Sequence, residues 1–256
     1  FDALETVKSK IKFVLSRHEQ GATHMADGYA RATGKPAVVL VTSGPGAGNT
    51  ITGIMTAQMD SVPMIIVTGQ TVSWMLGKDA FQEADIFGIT IPVVKHNYLV
   101  RETNDLPRVA REAYHIATTG RPGPVLIDIP KNISQGPFTG ELECEINLPG
   151  YKPEKGFDID PTSIEEAARL INLAKKPVIL AGHGAMISGA ENELMELVQK
   201  LDCPVTSTLL GKGVFPESHP LSLGMLGMHG TAYANKAICE CDLLLNIGSR
   251  FDDRII

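Results

Sequence analysis

The chain has 256 residues and a formal net charge of −6, with 43% hydrophobic and 20% charged residues. Ordinary apolar content and a mean hydropathy near zero exclude a disordered chain or a coiled coil, and the length admits one large domain or two ordinary ones. Net acidity with scattered basic residues argues against a nucleic-acid partner, and no apolar run approaches the roughly 20 residues of a membrane-spanning helix.

The charged, mixed first residues do not read as a signal peptide. Short apolar runs over 12–15, 37–42, 64–68, 125–129, 178–181, 204–208 and 243–247 read as strands. Between them, apolar spacings near 3.6 predict helices over 21–32, 47–59, 106–118, 162–174 and 190–201. Strand–helix alternation with continuously apolar strands predicts an α/β chain of two doubly wound parallel-sheet domains. From 132 to 161 the periodicity gives way to Gly, Pro and acidic residues, after which Thr162, Ser163, Glu165 and Glu166 restart a helix. The expected division is a first domain over 1–133, a linker over 134–161 and a second domain over 162–256. The first domain lacks an opening strand and the second offers only three strand candidates, so the chain is expected to belong to a longer polypeptide.

Cys144, Cys203, Cys239 and Cys241 show neither zinc-ligand spacing nor a disulfide framework and read as reduced thiols of an intracellular protein. Chemistry is expected where strands end. Glu19 lies between the 12–15 strand and the next helix, at the sheet edge where open α/β folds bind ligands. Serving a ligand and merely complementing the helix dipole, worth about 0.3–1 kcal/mol, both fit that position. A zinc-protease pattern fails, because His24 follows His18 by six residues instead of four. Thr42-Ser43-Gly44-Pro45-Gly46-Ala47-Gly48-Asn49 is a tight strand-to-helix turn, neither a P-loop nor G-x-G-x-x-G. The irregular stretch 70–92, holding Asp79-Ala80-Phe81-Gln82-Glu83 and the single Trp74, is long enough to read as functional or as a surface excursion. Later turns are Gly182-His183-Gly184, the Gly- and Met-rich 224–230 loop with His229, and Gly248-Ser249-Arg250-Phe251-Asp252. There Arg250 suits either a phosphate or a solvated ion pair.

In order, RHEQGA, ADGYARATGKP, TSGPGAGN, DSVPMIIVTGQ, DAFQEADIFGIT, VKHNY, ATTGRPGPVLIDIPK, LGMHGT and GSRFDDR resemble the acetohydroxyacid synthase (acetolactate synthase) large-subunit family of thiamine-diphosphate enzymes. The resemblance spans nearly the whole chain outside 136–156. It implies decarboxylation of pyruvate and its joining to a second pyruvate or to 2-ketobutyrate, in branched-chain amino-acid synthesis. It also implies that Glu19 hydrogen-bonds N1′ of the cofactor's aminopyrimidine, a task suited to a buried carboxyl of raised pKa. Pro45 and Asn49 then line the pyrimidine pocket, Phe81 and Gln82 face the reaction centre, and Lys131 stands at the channel mouth. FAD, architectural in this family, falls to Arg121, Gly182, Gly184, Thr208, Leu209, Gly227, Met228, His229, Gly248, Arg250 and Asp252.

No metal ligand is expected here: Mg²⁺, the Gly-Asp-Gly motif and the diphosphate belong to a domain beyond this stretch, as the Gly-Gly ketoacid segment precedes it. Val72, Trp74 and His183 depart from the family pattern. The resemblance further implies a homodimer or homotetramer, a small regulatory subunit, and a cytoplasmic location in bacteria or a plastid or mitochondrial one in eukaryotes. Pyruvate oxidase, glyoxylate carboligase and a non-catalytic FAD-binding module are the alternatives; glyoxylate carboligase lacks the glutamate that Glu19 matches.

Overall fold

In the computed structural model of this chain, residues 2–151 and 160–255 are described. The chain divides into a first compact unit ending at Lys155 and a second beginning at Gly156.

The first unit contains α1 (Asp2–Thr6), α2 (Glu19–Thr33), β1 (Ala37–Val41), α3 (Pro45–Gly48), α4 (Ile51–Asp60), β2 (Met64–Gln70), α5 (Ile86–Thr90), β3 (His96–Leu99), α6 (Leu106–Thr118), β4 (Pro124–Pro130) and α7 (Lys131–Ser134). Its sheet is parallel, in the order β1-β2-β4-β3. Helices α2 and α4 place Ala26, Ala30, Ile54 and Ala57 on Val39, Val41, Met64, Ile66 and Leu126 of one face. Helix α6 places Val109, Ala113 and Ile116 on Ile65, Val125 and Ile127 of the other. Covering on both faces is why β2 and β4 read as continuous apolar runs. Edge strand β1 instead alternates, with Val39 and Val41 buried and Val38 and Leu40 exposed.

Three expectations change here. Residues 12–15 form no strand: among the described residues none pairs with them, and Leu15 is 97% exposed. An apolar run alone does not make a strand without a partner to accept its hydrogen bonds. The helix expected over 47–59 is broken between α3 and α4, where buried Thr50 turns its hydroxyl onto the Ala47 carbonyl at 2.6 Å. The 70–92 stretch contains a 3₁₀ turn at Ser73–Met75 and the short α5. Strand β3 escapes the apolar pattern because its His-Asn-Tyr-Leu sequence is largely polar and half-exposed. After α7 the chain returns along the unit: Asn104 Oδ1 accepts from the amides of Thr139 and Gly140, and Leu148 and Tyr151 pack against the α6-side core. Residues 152–159 of the expected linker lie outside the described residues.

The second unit contains α8 (Pro161–Leu173), β5 (Pro177–Ala181), α9 (His183–Ile187), α10 (Glu191–Leu201), β6 (Val205–Ser207), β7 (Ser222–Met225), α11 (Ala232–Glu240) and β8 (Leu243–Ile247). Its parallel sheet, ordered β7-β6-β5-β8, has four strands instead of the expected three, because Gly224 disguises β7 as loop. Ile179, Ala181, Leu194, Val198, Val205 and Phe215 fill one face, and Leu180, Leu226 and Ala234 the other. Asp160, two residues before the expected cap, accepts from the Thr162 amide and starts α8 with Pro161 in its first turn. Among the described residues, no helix is long and apolar enough to cross a membrane.

Candidate functional site

In the first unit, three segments converge at the carboxyl edge of the sheet. The first is the start of α2, where His18 caps the helix by accepting the Gln20 amide at 3.1 Å, leaving Glu19 as its first residue. The second is the turn leaving β1, which carries Asn49 beside it: Asn49 Nδ2 donates to Glu19 Oε2 at 3.0 Å. Gly46 of this turn lies so close that an added Cβ would stand 2.6 Å from Thr42 Cγ2 and 3.2 Å from Glu19 Oε1. The third is the 71–85 segment. Its Gln82, at φ +54°, leans on Gly44, where a Cβ would sit 2.7 Å from the Gln82 carbonyl oxygen. Gly44 has φ +58° and backbone against its α-carbon, so only glycine fits.

Glu19, Asn49 and Gln82, far apart in sequence, thus share one corner with the exposed Pro45. Phe81 stands 88% exposed beside Gln82. Lys131 opens α7 directly after β4, at the same edge, with its side chain exposed. One expectation is corrected: Glu19 is only half-buried, and donation from Asn49 holds its carboxyl below the ordinary value instead of above it. The bond favours the charged form and little burial opposes it.

The sheet edge beneath this corner holds a polar cluster that sequence reasoning passed over. Asp128 of β4 is 1% exposed. It accepts from Thr68 Oγ1 at 2.7 Å and from Gln70 Nε2 at 3.0 Å, both residues lying on β2. Burial pushes its carboxyl up to about 6, against the lowering effect of those two donors, with Asp85 adding a further upward push. The available signal was a carboxylate inside the otherwise apolar strand Val-Leu-Ile-Asp-Ile. The 71–85 segment also ties itself together, since the Glu83 carboxylate accepts from the amides of Gly77 and Ala80 and is held below its ordinary value by them. Ser73 donates its amide and hydroxyl to Asn132 Oδ1.

In the second unit the glycine turns gather at the carboxyl ends of the strands. Gly182 donates to the Ile247 carbonyl at 2.8 Å and Gly184 to the Gly248 carbonyl at 2.9 Å, stitching the turn after β5 to the turn after β8. A Cβ on Gly182 would lie 2.4 Å from the Gly248 oxygen, and one on Gly248, at φ +73°, 2.3 Å from the Ala185 nitrogen. Thr208, after β6, donates its amide to Ala181 and caps Gly211 with its hydroxyl. Asn235 clasps Gly227 with both ends of its side-chain amide: Oδ1 accepts from the Gly227 amide and Nδ2 donates to the Gly227 carbonyl. Around this backbone platform Leu209, Met228, His229 and Arg250 are exposed, and Arg250 pairs with Asp252 at 3.6 Å.

Arg121 belongs to the first unit, at the opposite sheet edge from Glu19. It donates to Ser61 Oγ at 2.8 Å and to the Gln58 and Met59 carbonyls at 3.3 Å, closing the end of α4.

Comparison with known proteins adds two domain matches: the thiamine pyrophosphate enzyme N-terminal TPP-binding domain over residues 1–89 and the central domain over 164–256. Acetolactate synthase of Arthrospira platensis is 55% identical over 252 residues, covering 96% of this chain and 43% of its own length. The probable acetolactate synthase large subunit of Methanocaldococcus jannaschii is 50% identical, covering 100% of the chain and 43% of itself. The large subunit of Lactococcus lactis subsp. lactis is 51% identical, covering 100% and 44%. The chain therefore spans less than half the length of these relatives.

Proposed function

From a chain that belongs to the thiamine pyrophosphate enzymes, with acetolactate synthase large subunits as relatives along essentially its whole length, we propose that the complete protein is an acetolactate synthase large subunit. It decarboxylates pyruvate and joins the remaining two-carbon unit to pyruvate or 2-ketobutyrate. The observation that carries this reading is the Glu19–Asn49 pair at the first turn of α2, with Gly46 leaving room alongside.

The residues fit the cofactor. Asn49 engages one Glu19 oxygen, and Oε1 faces the space that glycine at 46 keeps clear, where a flat ring nitrogen can meet it. Thiamine diphosphate, when bound, supplies the electron sink for decarboxylation and ligation. Glu19, held in its charged form, would accept at Oε1 from a protonated nitrogen of the cofactor ring, and Asn49 keeps the carboxylate in register. Pro45 walls the pocket, while Phe81 and Gln82 border the ketoacid. Lys131 favours ketoacid carboxylates by charge. Residues 1–133 form the pyrimidine-binding domain, 134–161 the linker and 162–256 part of the FAD-binding domain. The platform of Gly182, Gly184, Thr208, Gly227 and Gly248, with Leu209, Met228, His229, Arg250 and Asp252, is our assignment for FAD, a structural cofactor here; Arg121 of the first unit is assigned to FAD on the family resemblance alone. Mg²⁺, the oligomeric interface, a regulatory subunit and the cellular compartment follow from the same reading.

The test is steady-state turnover of the complete protein on pyruvate, following acetolactate and oxygen together. Glu19→Gln is expected to lose about 100-fold or more of the rate. Unchanged turnover would overturn the catalytic assignment, and oxygen consumption equal to product would replace the reading with pyruvate oxidase.

A further inference from the structure

Along one face of the first unit's sheet, β2 presents Met64, Ile66, Thr68 and Gln70, and β4 presents Leu126 and Asp128 beside them. The stripe turns from apolar to polar at its carboxyl end yet stays buried, with Thr68, Gln70 and Asp128 all almost wholly covered. Polar groups at such depth must satisfy one another, and here they do: among the described residues no buried side-chain nitrogen or oxygen lacks a partner.

Gln70 uses its whole amide. One Nε2 hydrogen goes to Asp128 Oδ2 at 3.0 Å and the other to the Ala84 carbonyl at 2.8 Å, while Oε1 accepts the Thr71 amide at 2.8 Å. An amide has only these two donors, and Asp128 is an acceptor on that side, so the Nε2 end must face both the carboxylate and Ala84. The side chain therefore bridges the first and last parts of the 71–85 segment across a buried carboxylate. Residues 72–83 are also held by Ser73 on Asn132 at the start and by Gln82 on Gly44. The Gln70–Ala84 bond ties the returning leg to β2 two residues beyond Gln82.

We propose that Gln70 is a positioning residue: braced by Asp128 and Thr68, it fixes the returning leg through Ala84 and so sets where Phe81 and Gln82 stand relative to the Glu19–Asn49 corner. The kinetic consequence rests on the ketoacid-facing role proposed above for Phe81 and Gln82; the structural consequence does not.

The experiment compares the complete protein with Gln70→Met, which keeps the volume and removes every bond, Asp128→Ala, which removes the brace, and Asp128→Asn, whose amide oxygen still accepts from Gln70. Amide hydrogen exchange, read by mass spectrometry, is expected to rise about tenfold or more in peptides covering 76–85 for Gln70→Met and Asp128→Ala. Asp128→Asn is expected to keep wild-type protection there. Peptides of β2 itself serve as the control for global unfolding. In pyruvate assays Gln70→Met is expected to raise KM for the acceptor ketoacid more than it lowers kcat. Unaltered 76–85 exchange in Gln70→Met, or a rise matched by equal loss of protection in β2, would overturn the proposal. Loosened exchange with wild-type KM and kcat would overturn its link to the reaction. A wild-type protein that makes no acetolactate counts against the proposed function alone, since the exchange result stands without it.

Discussion

Asp128→Asn tests the electrostatics of the first unit's core. The Asp128 carboxyl rises from an ordinary 3.8 to about 6 in the folded protein, chiefly because burial penalises its charge. A carboxyl with a higher pKa folded than unfolded binds more protons in the folded state. Its stabilising contribution is therefore full below the unfolded value and is lost as pH rises through the folded one. At 1.36 kcal/mol per pH unit the whole span is worth about 3 kcal/mol, of which about 1.4 kcal/mol falls between about pH 5 and about pH 7.5. The carboxamide that replaces the carboxyl has almost the same shape. Its oxygen accepts from Gln70 and its amide donates to the Thr68 hydroxyl, so the titrating group is removed while the packing is kept. Opening free energies of β2 and β4, from amide exchange corrected for intrinsic rates, are expected to fall with pH in wild type by about 1 kcal/mol or more relative to Asp128→Asn. Parallel pH dependences in the two proteins would refute the reasoning. So would a wild type that gains on the variant as pH rises.

Three shorter predictions address the remaining features. Asn49→Ala removes the donor that lowers the Glu19 carboxyl, so carboxyl titration by NMR is expected to move upward; an unchanged or lower value would show that Asn49 does not set it. Gly248→Ala puts a Cβ into backbone at a left-handed φ, with an expected cost of about 1–3 kcal/mol and a lower calorimetric melting temperature of the second unit; under the proposed function, flavin content falls too. Cys203 is buried with its thiol pushed up to about 11, whereas Cys239 is exposed. A neutral-pH thiol reagent is therefore expected to label Cys239 long before Cys203, and simultaneous labelling would contradict that order.

The helices and central strands were legible because their signal is local. α6 occupies the residues predicted from its 3.6-residue spacing, and β2 and β4 announce themselves by unbroken apolar runs that both faces bury. Residues 12–15 carry the same apolar signal and form no strand, since a strand needs a neighbour and sequence spacing does not reveal one. Strands β3 and β7 fail in the opposite direction: a polar or glycine-bearing sequence is drawn into a ladder by an adjacent strand already in place.

The candidate site divides along the same line. Motif order was sufficient to single out Glu19, Asn49, Phe81, Gln82 and the glycine turns, because the demand for glycine and for a carboxylate at a strand end is written residue by residue. That Asn49 reaches Glu19, that Gln82 rests on Gly44, and that the turns after β5 and β8 interlock was decided only when distant segments met. The charge state of Glu19 ran opposite to expectation for the same reason, since a pKa depends on the neighbours and burial that folding supplies. Asp128 and Gln70, inconspicuous in the chain, become a coupled pair because β2 and β4 lie in register. Sequence alone determined which residue types stand at which turns, whereas tertiary structure decided which of them touch, how deeply they are buried and therefore what charge they carry.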